Sequence, residues 1–237
     1  MLPDPDAVRK KRAEELIYLA QFLRQIPKIK GTSALTDAAT QCKREKPGQD
    51  LWGYTFGGIV FEAEDPHGVL PSDATDIRVE LSMDIVGHCT PQPDPLTKLS
   101  TNIIVKGIDL KNAPLLFSWH LDRAIGNASE GDASHPRYHF QHAGTIMRDK
   151  TCSWGSAIFL EEPRLTHPPM NAFIACDFVL SNFLPRARQK LALEGNYKKW
   201  LRLAQIDLWK PYVEALANAW SNDSPGSLCR DFWPNII

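Results

Sequence analysis

The stretch DIRVELSMDIV (residues 76–86) sets Ile77, Val79, Leu81, Met83 and Ile85 against Arg78, Glu80, Ser82 and Asp84. Successive side chains on a strand point to opposite faces of the pleat, so strict alternation predicts a strand with one face on a core and one in water. A chain built around such a segment needs a sheet with a covered side and a wet side, which antiparallel sheets provide.

Further strands are predicted around it. GYTFGGIVFEAE (53–64) is aromatic and β-branched, with Gly57-Gly58 at its middle marking a bulge. TNIIVKGI (101–108) and LLFSWHLDR (115–123) continue the pattern, and PQPDP (91–95) breaks it. AIGNASEGDAS reads as a loop leading into RYHFQHA. The expectation is an antiparallel meander of roughly four to six strands, over about residues 52–161.

Helices are predicted on both sides of this sheet. Asp4 or Asp6 caps a first helix over about residues 8–26, where Leu16, Ile17, Ala20, Leu23 and Ile26 form one apolar stripe. Arg9, Lys10, Lys11 and Arg12 crowd its positive end and read as a solvated face. Residues 28–50 are polar and read as a loop with room for a short helix near Thr36–Lys43. MNAFIACDFVLSNF, after Pro168-Pro169, is apolar nearly all round and predicts a buried helix ended by Pro185. Within it Asp177 needs a partner, an Arg or a His, with His167 one candidate. Asn196 starts a last helical region that Pro211 should kink or split, so the C-terminal helices occupy about residues 169–220. The fold class is α+β, an antiparallel β-meander flanked by an N-terminal helix and C-terminal helices, in a single domain over residues 1–237.

At 237 residues, 43% of them apolar, the chain is long enough to bury one sizeable core. A formal net charge of −1 gives no overall electrostatic reason to expect nucleic acid, and no apolar run of about 18 residues suggests a membrane span. The opening MLPDPDAVRKKRAEE lacks the basic-then-apolar order of a secretory signal. Cys42, Cys89, Cys152, Cys176 and Cys229 are odd in number and scattered, as reduced thiols would be, and a cytoplasmic protein is expected. Seven tryptophans and the apolar end DFWPNII suggest a protein partner.

Chemistry concentrates in two segments. Alternation along LLFSWHLDR puts Ser118, His120 and Asp122 on one face, and along RYHFQH it groups Arg137, His139 and Gln141. Paired, these strands bring His120, Asp122, Arg137 and His139 onto one polar surface. An imidazole exchanges protons near neutrality, a carboxylate orients it, and a guanidinium grips a phosphate. The roles read from this are His139 as general acid or base, His120 as its counterpart, Asp122 as orienter and Arg137 as anion clamp. A competing reading has a divalent metal held by His135, His139 and His142 of HPRYHFQHAG, which needs a bulge or helix to converge. On the bland reading these histidines only hydrogen-bond backbone or water.

The order of elements resembles the ubiquitin-conjugating enzyme family: a first helix, a meander, His135-Pro136, Cys152, then PRLTHPPMNAFIACDFVLSNF (163–183) and C-terminal helices. Arg137 stands where that family carries an Asn after the His-Pro pair. The resemblance implies Cys152 as a thioester-forming nucleophile, or a module of that fold that binds partners without cysteine chemistry. The residues themselves favour a histidine-dependent hydrolase acting on a phosphodiester or other anionic substrate, with Arg123 and Arg137 beside the histidines.

Overall fold

The computed structural model describes residues 3–44, 48–64, 72–124, 136–142, 147 and 164–221. The alternating segment lies inside β3 (Thr75–His88), where Val79, Leu81, Met83 and Ile85 are buried and the residues between them only partly so. Around it the chain forms β1 (Ile29–Lys30), β2 (Leu51–Glu62), β4 (Leu96–Ile108), β5 (Pro114–Arg123), β6 (Tyr138–His142) and β7 (Leu165–Thr166). All seven join one sheet in chain order, each antiparallel to the next. The meander is therefore longer than expected, because a two-residue strand extends it at each edge.

The bulge sits where the glycine pair suggests: the β2–β3 register shifts between Phe56 and Ile59, and Gly58 takes a positive φ of 72°. Gly31, at φ 74°, lies so close to this bulge that a Cβ would stand 2.1 Å from the Gly58 carbonyl oxygen.

Helices cover one face of the sheet. In α1 (Pro5–Arg24), Asp4 caps by accepting from the Asp6 N–H at 3.2 Å, and Leu16, Leu19, Ala20 and Leu23 are buried. The short helix allowed for near Thr36–Lys43 is present and longer than expected: α2 (Ser33–Arg44) buries Leu35, Ala38, Ala39 and Cys42. Its polar residues lie between those four, and the 3.6-residue spacing supplies a buried stripe that overall polarity conceals. The apolar segment forms α3 (Ala172–Phe183), capped by Asn171 accepting from the Ile174 N–H at 3.1 Å. Pro185 ends it and opens α4 (Pro185–Leu191). The last helix, α5 (Gly195–Ser221), starts one residue before Asn196 and runs unbroken through Pro211. The buried Leu208 and Tyr212, on either side of that proline, hold α5 to the core. Proline removes one backbone hydrogen bond, and tertiary packing outweighs that cost here.

The basic first turns of α1 are solvated at Lys10 and in part at Lys11, but not at the two arginines. Arg9 and Arg12 are buried. Arg9 donates to the Leu51, Gly48 and Gln49 carbonyls and pairs with Asp6, while Arg12 pairs with Glu15 at 3.2 Å and with Asp207 of α5 at 2.8 Å. The Arg12 guanidinium also stacks 4.9 Å from the Trp52 ring. These cations tie the helix to its neighbours, and the acidic partners compensate the unfavourable dipole. Asp177 pairs with Arg188 at 3.2 Å and accepts from the Tyr197 hydroxyl at 2.9 Å; His167 plays no part in this. Among the described residues no helix is long and apolar enough to cross a membrane.

Candidate functional site

The sheet register builds the site. Partners across antiparallel strands share a face. Asp84 faces Ser100, Ser100 faces Asp122, Asp122 faces His139 and His139 faces Thr166, giving one polar row across five strands. The adjoining same-face row runs Ser82, Asn102, His120, Gln141. The alternate rows, such as Leu81, Ile103, Trp119 and His142, turn to the helices.

Where the two polar rows cross β5 and β6, His120, Asp122 and His139 converge. One side-chain ligand atom from each lies within 4.8 Å of the other two. The His120 Nε2 stands 3.5 Å from Asp122 Oδ2 and 3.1 Å from Gln141 Oε1, and the two imidazole rings meet edge to face with centroids 6.2 Å apart. His139 is buried at 3% exposure and Gln141 is buried beside it, whereas Asp122 keeps 33% of its side chain in solvent. The group thus has a covered floor and one wet side.

Neighbouring charges on this face are already engaged. Lys98 bonds Asp84 at 2.5 Å and Lys106 bonds Glu80 at 2.6 Å. Arg123 points to the opposite face and grips Asp94 in the β3–β4 connection at 2.8 and 3.2 Å, beside the Tyr138 hydroxyl, which donates to the same carboxylate. Burial first, then Asp94, push the Tyr138 phenol well above its usual range. The Arg137 Nε lies 3.8 Å from Asp94 Oδ2, so this cation also stands near a carboxylate.

Three of the four residues expected on one polar surface, His120, Asp122 and His139, are therefore brought together; the fourth, Arg137, has Asp94 as a neighbour. His142 is not with them: it pairs with Trp119 and packs its ring against Phe117 and Trp119 on the helix-facing side, because residues 139 and 142 have opposite parity on one strand. His135 and Cys152 lie outside the described residues, as does the loop from residue 125 to 135. His167 donates from Nδ1 to the Pro168 carbonyl at 2.6 Å and packs on Phe140; burial lowers its pKa below 6.5.

Two residues escaped the sequence reading. Gln141 was assigned to the right face but given no role. Asp94 sits in a stretch read only as a break, and nothing local to PQPDP indicates that the hairpin carries it to Arg123.

A cavity of about 340 Å³ opens elsewhere, lined by Lys11, Arg12, Trp52, His88 and Asp207 among others. Lys11 and Arg12 are both committed to Asp207 there, and none of the three clustered residues reaches it. The convergence of reactive groups, not this cavity, marks the candidate site.

No family model matches the chain, and no curated protein or solved structure does either. The resemblance to ubiquitin-conjugating enzymes finds no support in those comparisons.

Proposed function

We propose that the protein is a hydrolase that cleaves a phosphodiester or a comparably anionic ester at the His120, Asp122, His139 cluster. The observation that supports this is the convergence of two imidazoles and one carboxylate, on adjacent strands, within 4.8 Å. Here one is buried and one is open to solvent.

In this reading a water held at the cluster loses its proton and attacks phosphorus. A new P–O bond forms, the bond to the leaving alkoxide breaks, and that alkoxide departs protonated. The side chains of the cluster take up and return the proton, work to which imidazole is suited near neutral pH. Asp122, accessible from solvent, faces the incoming substrate and orients His120. Arg137 supplies positive charge for the anion from the start of β6.

The test is turnover of a chromogenic phosphodiester by wild type, His120→Ala and His139→Ala, with circular dichroism confirming the fold. Loss of turnover in both folded variants is the expected result. Unchanged turnover in either one overturns the assignment.

A further inference from the structure

We infer that His120, Asp122 and His139 bind one divalent transition-metal ion, such as zinc, manganese or ferrous iron, with Gln141 beside it. The inference rests on the site proposed above and names the cofactor that would serve it.

Distance separates an ion site from a hydrogen-bonded pair. A charge-assisted bond between imidazole and carboxylate closes to about 2.7–2.9 Å. The His120 Nε2 and Asp122 Oδ2 atoms stand at 3.5 Å, too far for a good bond of that kind. Two ligands each about 2.1 Å from one tetrahedral ion are about 3.4 Å apart, simply from the tetrahedral angle. The observed separation fits a shared ion, and His139 completes the set within 4.8 Å, a gap that small side-chain rotations close.

The donor set points the same way. Imidazole suits zinc and iron and carboxylate suits manganese, so two of the first and one of the second favour a borderline cation over calcium or magnesium. Three protein ligands leave positions for water or substrate, as catalytic sites do and closed structural sites do not. Gln141 Oε1, 3.1 Å from the His120 Nε2, can hold the imidazole proton when no ion is bound and offers a neutral oxygen when one is.

Charge gives a further reason. Among the described residues, Lys98 and Lys106 on this face are engaged by Asp84 and Glu80. A divalent ion with one carboxylate ligand carries a net charge of about +1 and supplies what an anionic substrate needs. Such an ion would lower the pKa of its bound water toward neutrality, and the imidazoles would then serve as ligands in place of the proton transfer proposed for them.

The experiment uses chelator-treated, dialysed protein of all 237 residues titrated with Co²⁺, whose visible absorption reports the ligand field, and with Zn²⁺ in competition. Wild type should take up one equivalent of Co²⁺, displaced by Zn²⁺, with a rise in melting temperature. Asp122→Asn, nearly isosteric and partly exposed, should keep its fold and weaken binding by more than about tenfold, the least that disturbing even an outer-shell partner costs. His139→Ala should abolish the absorption band. No stoichiometric uptake by wild type, or uptake undiminished in both variants, overturns the inference. Phosphodiester turnover that persists in chelator at full rate overturns the ion but spares the hydrolase. An ion bound through these residues without turnover overturns the hydrolase but spares the ion.

Discussion

Asp122 of β5 and His139 of β6 are direct cross-strand partners, and their shared face also carries His120 one pleat away. Strand register alone thus delivers a carboxylate and an imidazole to the same spot. A one-residue slip of β6 would send His139 to the helix side and bring Phe140 out.

Asp122→Asn keeps shape and removes charge. Hydrolysis should fall by about 10²–10⁴, the span that disabling an acid–base group commonly costs, because His120 loses the carboxylate that orients it. Stability should stay within about 0.5 kcal/mol, because the side chain is partly exposed. Steady-state rates beside urea unfolding curves of the same preparations test both halves.

Arg12→Ala should be far more damaging than any change in the cluster. It leaves the buried Glu15 carboxylate without its cation, while Asp207 keeps Lys11, and breaking a buried ion pair from one side costs about 3–5 kcal/mol. Urea denaturation should show a large drop in midpoint, with Lys10→Ala as a comparison.

Gly87→Ala should destabilise by about 1–3 kcal/mol through overpacking, since the new Cβ would stand 2.5 Å from the Trp52 ring. Trp52 cannot swing away freely, because its Nε1–H donates to the His88 carbonyl at 3.0 Å. Gly195→Ala, with nothing within 4 Å of its Cβ, should unfold at or above the wild-type midpoint.

His167 should make the protein acid-sensitive. Burial holds its folded pKa below the ordinary 6.5, so on acidification the unfolded chain takes up the proton first. Stability from the neutral ring is fully present above pH 6.5 and is lost as pH falls through the lower folded value. Unfolding midpoints measured across this window should fall more steeply for wild type than for His167→Gln. Equal slopes would show that His167 does not contribute.

Much of this architecture was legible in local sequence because short-range periodicity reports on burial. The alternation in β3, the Gly57-Gly58 bulge, the capped α1 and the apolar α3 follow from patterns spanning a dozen or so residues. Even the grouping of His120, Asp122 and His139 came from parity on two strands, once those strands were taken as neighbours.

What the chain's local pattern left open depended on partners distant in sequence. Arg12 looked solvated because Asp207 lies 195 residues beyond it, Arg9 because the carbonyls it meets lie 39 to 42 residues on, and Asp177 found Arg188 and Tyr197 because α4 and α5 fold back against α3. Asp94 gained its role only when the β3–β4 hairpin met Arg123. Periodicity determines which side of an element is buried; tertiary packing decides which charge meets which, because an ion pair acts over a few ångströms of space and is indifferent to distance along the chain.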